Sequence, residues 1–404
     1  MCVNAQQTEE QFINALLGKM TLEEKLGQLT QYTGRSAVTG PDVQQGGEEQ
    51  ITSGQVGSFL NIYGADTVLR LQHIAVEKSR LGIPLLFGHD VIHGFRTIFP
   101  TPLAESCAWN PSLAERDARI AAEEASAAGI NWTFAPMVDI ARDARWGRIV
   151  EGAGEDTWLG AVFAKARVHG FQGEDLRASD SVMACAKHFT AYGAAEAGRD
   201  YNIADISERT LRETYLPPFK AAVDAGVGSF MASFNEIAGV PSTCNKYLLT
   251  DVLRKQWHFD GLMVSDYTAI LELIHHGVAA TRTDAGILAL EAGMDMDMVS
   301  GIYIKDLPAA IKDGRLPSEF VDKAVRRVLR VKYRLGLFDN PYRQLSAARE
   351  RQNTLTDAHR AAAREAARES MVLLKNDGAV LPLSKSIAKL GFFPDLCGYE
   401  LKSS

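Results

Sequence analysis

The stretch GLMVSDY, residues 261–267, is a short apolar run that ends on Ser265 and Asp266. A run of this length and composition is typical of a buried strand. A carboxylate at the end of a buried strand costs free energy unless another group pairs with it or it has a function. The stretch therefore predicts a buried strand and, in Asp266, a candidate functional carboxylate.

Similar runs recur along the chain, separated by segments with helical spacing. This alternation is the signature of βαβ units around a parallel sheet. We therefore predict an α/β fold, namely a (β/α)8 TIM-like barrel in which one strand could be irregular. Seven strands are indicated by such runs. We place the eighth near residues 275–279, where the pattern is weak. The further runs are VGSFLNI near 56, IPLLFGHD near 83, INWTFAPMVDI near 130, SVMACAKHF near 181, GSFMASFNE near 228 and GMDMDMV near 293.

Polar side chains stand where several of these runs finish. In a parallel barrel the carboxyl ends of all strands lie on one face, which is where active sites form. Carboxylates and cationic donors on one rim suit a ligand with many hydroxyl groups. A structural alternative exists for each residue, because Asp90 and Asp266 could cap the following helices and Lys187 could form an internal ion pair. The residues are Asn61, His89, Asp90, Lys187, His188, Asn235 and Asp266.

The segment RDARWGRIVEGAGEDTWLG, residues 142–160, combines several charged residues with a tryptophan and glycines. This composition suits a loop that wraps a polar ligand. The alternative is a surface loop held by salt bridges, which we expect to account for about half of its charges.

Composition excludes several classes of function. The 404 residues are 46% hydrophobic and 23% charged, with a net charge of -7. We find no cluster of positive charge for a nucleic acid and no apolar window near the roughly 18 residues of a membrane span. The five cysteines are odd in number and lack CxxC spacing, so we predict no disulfide framework, no metal site and no cofactor.

The two ends of the chain carry further signals. The start, MCVNAQQ, is similar to the end of a cleaved export signal, which leads us to expect a periplasmic or secreted protein. We expect the barrel to span residues 8–340, a charged linker and helix to follow over 341–370, and a second, truncated domain to begin over 371–404.

Four long motifs, in this order, resemble glycoside hydrolase family 3, in particular its bacterial periplasmic β-glucosidase branch. The resemblance covers about residues 8–385 and implies a barrel followed by an α/β sandwich domain. It also implies hydrolysis of β-glucosides or gluco-oligosaccharides with retention of configuration. The motifs are IPLLFGHDVIHGFRTIFPTPLAESCAWNPSLAER, RDARWGRIVEGAGEDTWLGA, KHFTAYGAAEAGRDYN and GLMVSDYTAI.

The resemblance also implies roles for individual residues. Asp266 matches the family's catalytic nucleophile, whose ionised form nearby Lys187 and Arg148 would favour. Phe234 is a departure, since many members have a tyrosine beside the nucleophile. The matched substrate-binding residues are Asp90, Arg148, Lys187, His188 and Met231, with Arg199 matched more loosely.

The resemblance does not assign the general acid to a residue of this chain. In this branch it is a glutamate of the second domain, and the chain ends before any such residue, so we expect weakened turnover. Glu196 and Asp200, in the loop after KHF, are candidate substitute acids. Two alternatives stay open: a single-domain β-N-acetylglucosaminidase, and a non-catalytic sugar-binding fragment that could self-associate through exposed apolar surface.

Overall fold

The computed structural model describes residues 8–34, 46–342 and 345–387. The chain divides into two compact units, residues 1–370 and 371–404. The segment MCVNAQQ and half of the predicted second domain, residues 388–404, lie outside the described residues, so those expectations stay predictions. No helix among the described residues is long and apolar enough to cross a membrane.

Among the described residues, eight parallel strands pair in chain order. Hydrogen-bonded ladders join the first four strands in succession, the fifth to the seventh strand in succession, and the eighth strand to the first. Single parallel bridges, Trp132 to Met183 and Val264 to Met296, link the remaining neighbours, so the pairings form a closed ring. The predicted α/β class is confirmed, and the ring is the arrangement that the predicted barrel requires. The strands are β1 Thr30–Thr33, β2 Ser58–Leu60, β3 Leu86–His89, β4 Trp132–Thr133, β5 Cys185–Phe189, β6 Ser229–Ala232, β7 Leu262–Val264 and β8 Asp297–Met298.

The expected position of the eighth strand was wrong. The helix Ala269–His275 ends there and a turn follows, whereas the missing strand is β1, with the sequence TQYT. Its polar side chains are buried, and two of them donate hydrogen bonds within the fold: Thr30 Oγ1 to the Leu26 carbonyl at 2.9 Å and Gln31 Nε2 to Ser58 Oγ at 2.7 Å. A buried strand built from such polar residues shows no apolar run in the sequence.

Helices fill the connections between the strands, and a short antiparallel hairpin, Glu236–Ile237 with Val240–Pro241, follows β6. The α-helices are Glu9–Leu17, Leu22–Gln28, Glu48–Thr52, Ala65–His73, Pro102–Ser106, Pro111–Ala127, Thr157–Gln172, Glu208–Thr210, Pro217–Asp224, Ala269–His275, Arg282–Ala292, Ile302–Lys312, Ser318–Arg334, Ala347–Asn353 and Asp357–Glu369. Short 3-10 turns cover Gly147–Glu151, Tyr192–Ala194, Glu196–Gly198 and Ser242–Cys244, and wider π-type turns cover Ile74–Lys78, Leu211–Tyr215 and Tyr247–Gln256.

The core lies within the ring and between the ring and its helices. Leu262, Met263 and Val264 of β7 are fully buried, as the apolar run predicted. Trp132 of β4 is also fully buried, and its indole donates to Ser229 Oγ of β6 at 2.7 Å. The indole N–H thus has a partner inside the core, which removes the cost of burying it.

The predicted linker and helix, residues 341–370, belong to the first compact unit. Their anchor is Glu124, a fully buried carboxylate of the helix Pro111–Ala127. Glu124 Oε2 accepts hydrogen bonds from the backbone nitrogens of Arg96 and Thr97. Its Oε1 accepts from the Thr97 hydroxyl and from the Leu355 backbone at 2.9 Å, and lies 3.0 Å from His359 Nδ1. Burial opposes ionisation of Glu124, but these hydrogen bonds hold its pKa below the usual value.

We expect the substitution Glu124→Gln to lower the free energy of unfolding by about 2–4 kcal/mol, because an amide would face N–H donors with its own NH2 group. Urea denaturation at pH 7 measures this. Glu123→Gln is the matched control, since Glu123 is partly exposed and lies 3.5 Å from the other ring nitrogen of His359, Nε2. Equal midpoints for the two variants would contradict the anchoring role. Because the pKa of Glu124 is lowered, its contribution should be present near neutral pH and lost on acidification.

Candidate active site

A cavity of about 610 Å³ opens at the carboxyl ends of the strands. Asn61 follows β2, Asp90 follows β3, Lys187 lies within β5, and Asp266 stands two residues beyond β7. The ring therefore brings together residues that are far apart in the chain. The cavity is lined by Leu60, Asn61, Asp90, Ile92, Phe134, Arg148, Glu151, Lys187, His188, Tyr201, Met231, Phe234, Asp266, Tyr267, Thr268, Glu272 and Met298.

Asp266 is buried, with 7% of its surface exposed. Its Oδ1 accepts a hydrogen bond from the Tyr267 backbone at 2.7 Å, whereas its Oδ2 has no hydrogen-bond donor among the described residues. Its side chain does not cap the following helix, whose N-cap residue is Thr268. A buried carboxylate oxygen without a donor is costly, and such groups are found where function requires them. Burial raises the pKa of Asp266 to about 6, although the positive charges of Arg148 and Lys187 act in the opposite direction.

Lys187 and Asp90 form an ion pair across the cavity wall, with Nζ 2.6 Å from Oδ1. Lys187 is 4% exposed, while about half of the Asp90 side chain is exposed. The internal ion pair that we considered as an alternative therefore exists, but its partner is another predicted site residue. The pair presents a fixed ammonium and a fixed carboxylate to the same cavity.

His188 is oriented by Asp139, which the sequence analysis missed. Asp139 Oδ2 lies 2.9 Å from the His188 backbone nitrogen and 2.8 Å from its Nδ1. The other ring nitrogen, Nε2, is 3.6 Å from Asp266 Oδ2. Asp139 is the second-to-last residue of the run INWTFAPMVDI, so a charged residue near the end of a buried run was the signal that could have found it.

Burial and two nearby cations determine the charge of His188. Burial lowers its pKa well below the usual value, and the positive charges of Arg148 and Lys187 lower it further. Burial also raises the pKa of Asp139 to about 7. When Asp139 is ionised it can only accept, so Nδ1 of a neutral His188 carries the proton and Nε2 faces Asp266 as an acceptor.

Arg148 comes from the charged loop 142–160. Its guanidinium donates two hydrogen bonds to Glu151, at 2.7 and 3.0 Å, and lies 5.5 Å from the centre of the Tyr192 ring. Burial opposes its charge, but the Glu151 carboxylate outweighs that effect and raises the pKa of Arg148. Arg145 instead pairs with Asp143 on the exposed side of the loop. The loop thus carries both a ligand-facing cation and a surface salt bridge.

The remaining candidates separate into two groups. Met231 is buried and lines the cavity. Arg199, Glu196 and Asp200 are exposed and do not line it, and the Asp200 carboxylate accepts a hydrogen bond from the Trp146 indole at 2.9 Å. The loop after KHF therefore contributes Tyr201 to the cavity rather than a carboxylate.

Glu272 is a second carboxyl group in the cavity that the sequence analysis missed. It lies in the helix Ala269–His275, six positions after Asp266. Burial and, after it, the negative charge of Asp266 raise the pKa of Glu272 to about 7. The cavity therefore contains two carboxyl groups, Asp266 and Glu272, whose pKa values are both raised by burial.

A polar cavity at the carboxyl ends of a ring of parallel strands is the position of the active site in α/β-barrel enzymes. The model of the family "Glycosyl hydrolase family 3 N terminal domain" matches residues 21–331. This chain belongs to glycosyl hydrolase family 3, as the sequence motifs predicted.

Curated relatives and solved structures agree on this family. The chain is 44% identical to a periplasmic beta-glucosidase of Salmonella typhimurium, over 96% of this chain and 51% of that protein. A beta-xylosidase of Formosa agariphila is 38% identical over 81% of this chain and 48% of its own length. The structure of a beta-glucosidase from Listeria innocua in complex with isofagomine has a TM-score of 0.89 at 41% identity, covering 93% of this chain and 53% of that one. The chain spans about half the length of the curated relatives it matches.

We expect His188 to remain uncharged from pH 8 down to pH 5, because its pKa is depressed and protonation at low pH is therefore disfavoured. Nitrogen-15 NMR of imidazole-labelled protein measures this, with His188→Gln used to assign the signal. At pH 8 the spectrum should show a neutral ring protonated at Nδ1. A His188 signal that titrates near the ordinary histidine value would contradict the assignment.

Proposed function

We propose that this chain binds terminal, non-reducing β-D-glucosyl residues in the cavity and hydrolyses them with retention of configuration. Asp266 is the nucleophile in this proposal: its carboxylate attacks the anomeric carbon, the bond to the leaving oxygen breaks, and water later releases the sugar from the glycosyl-enzyme. The observation that carries the proposal is the buried Asp266 Oδ2, which has no donor of its own in a cavity lined by cations.

The other cavity residues supply what a sugar ring requires. The Lys187 and Asp90 pair offers charged hydrogen-bonding partners for hydroxyl groups, and the Arg148 and Glu151 pair offers a second set. His188 contributes an acceptor at Nε2. The names of the relatives support a β-glucoside, since one solved Listeria innocua beta-glucosidase, 40% identical, is in complex with glucose.

The proton for the leaving oxygen is assigned to Glu272 in this proposal. The two substitute acids expected from the sequence, Glu196 and Asp200, are exposed and outside the cavity lining. Glu272 lies inside it, and its raised pKa favours the protonated form that a general acid requires. Retaining hydrolysis needs such an acid beside an ionised nucleophile.

We also propose that the protein acts in the periplasm or outside the cell. The support is the periplasmic beta-glucosidase among its relatives, together with the small-residue start of the sequence.

Incubation with a dinitrophenyl 2-deoxy-2-fluoro-β-glucoside should add one glycosyl group to Asp266, because this leaving group departs without an acid. Intact-mass spectrometry with peptide mapping detects the adduct. The labelling rate should rise with pH and reach half its maximum near pH 6, since only ionised Asp266 is nucleophilic. Asp266→Asn is the control and should give no adduct. No adduct in a folded, glucose-binding sample would sink the catalytic proposal and favour a non-catalytic sugar-binding protein.

The substitution Glu272→Gln should lower kcat/KM for cellobiose by about 10²- to 10⁴-fold and leave kcat/KM for the dinitrophenyl glucoside nearly unchanged, because this leaving group departs without an acid. The kcat for the dinitrophenyl glucoside should fall, because the same residue acts as the base for water in the second step. Steady-state kinetics on the two substrates measure this. The exposed Glu196→Gln is the matched control and should change neither rate. If Glu272→Gln hydrolyses cellobiose as fast as the unsubstituted chain does, Glu272 does not serve as the acid.

A further inference from the structure

The loop of residues 191–204 beside the cavity is held at several separate points. The Glu196 backbone donates to the Ile203 carbonyl at 2.9 Å, and the Ala204 backbone donates to the Glu236 carbonyl of the hairpin at 2.9 Å. Asp200 accepts from the Trp146 indole on the neighbouring loop. Gly198 has a φ of +65° and lies so close to the neighbouring backbone that a Cβ there would be 2.8 Å from the Trp146 nitrogen. The loop is therefore fixed against the residues around it.

This loop presents Tyr201 to the cavity. Tyr201 has a left-handed backbone, with φ +64°, which is unusual for a residue with a bulky side chain. Its ring centre lies 4.5 Å from that of Phe234 and 6.3 Å from that of Tyr192. Strained residues that the surrounding structure holds in place cluster at ligand sites. The fixed loop and the two supporting rings hold Tyr201 in such a conformation.

The exposure of Tyr201 distinguishes it from the most deeply buried residues of the cavity. It is 53% exposed, whereas Lys187 is 4%, His188 is 1% and Asp266 is 7% exposed. Tyr201 therefore stands nearer to solvent than the nucleophile does. A rigid aromatic ring supplies a large apolar contact area at little entropic cost, and sugars and aryl groups both present apolar faces to such a ring.

We propose that Tyr201, supported by Phe234, is a stacking platform for the leaving group of a β-glucoside, either a second sugar ring or an aryl group. This inference rests on the proposed function and assigns the leaving-group side of the same cavity. It also gives a role to Phe234, which stands where many family members have a tyrosine. The Phe234 ring packs against the Tyr201 ring.

The test is the equilibrium binding of two ligands to the intact chain by calorimetry. Phenyl 1-thio-β-D-glucoside, which resists hydrolysis, has an aglycone ring, and glucose has none. Tyr201→Ala should weaken binding of the thioglucoside by roughly threefold to tenfold and leave glucose unchanged. Tyr201→Phe should retain the affinity, because the contact is made by the ring. Trp158→Ala removes another exposed aromatic residue, outside the cavity lining, and should change neither ligand.

Two results would overturn the inference. An unchanged affinity of Tyr201→Ala for the thioglucoside would show that the ring makes no contact with the leaving group. An equal loss for both ligands would show that Tyr201 acts on the glucose site or on the fold. Failure of the proposed function would look different, since the unsubstituted chain would then neither bind glucose nor form an adduct on Asp266.

Discussion

Every strand of the ring is hydrogen-bonded on both sides to parallel neighbours, and the cavity depends on this constraint. Parallel pairing brings the carboxyl ends of all strands to one rim, so polar residues that each end a separate buried run become neighbours. Lys187 and Asp90 are 97 positions apart in sequence, yet their charged atoms are 2.6 Å apart. Without the ring, each of these residues would be an isolated charge at the end of an apolar segment, which is unfavourable.

Within that rim, most buried charges are balanced by a partner. Lys187 pairs with Asp90, Arg148 pairs with Glu151, and His188 contacts Asp139. Asp266 differs from these pairs, because its Oδ2 has no donor among the described residues and the nearby His188 is held neutral. The surrounding pairs therefore keep the cavity polar without neutralising the Asp266 carboxylate.

The relatives of this chain are named for different sugars, with beta-glucosidases and beta-xylosidases both among them. Lys187, His188 and Asp266 are buried deep in the cavity, so variation in side chains has more room at its mouth. The fixed loop 191–204 lies there and belongs to the first compact unit. Loops carried on a rigid scaffold are the usual means by which one fold accommodates different ligands.

The sequence alone determined the elements whose signal is local. Seven buried strands could be predicted because each is an apolar run, and Asp90, Lys187, His188 and Asp266 could be predicted because each is a charged or polar group where such a run ends. The family motifs then identified the same residues together. These signals are confined to a few consecutive residues, so no knowledge of distant contacts was needed.

Only the tertiary structure decided the rest, because it depends on partners that are distant in sequence. The polar strand TQYT is buried through the partners of Thr30 and Gln31, one of which, Ser58, lies on another strand. The role of Asp139 follows from its contact with His188, 49 positions away. Glu272 lines the cavity while Glu196 and Asp200 remain outside it, although all three belong to segments that follow rim residues. Burial, pairing and the resulting pKa values are properties of three-dimensional neighbours, and composition or periodicity along the chain does not encode them directly.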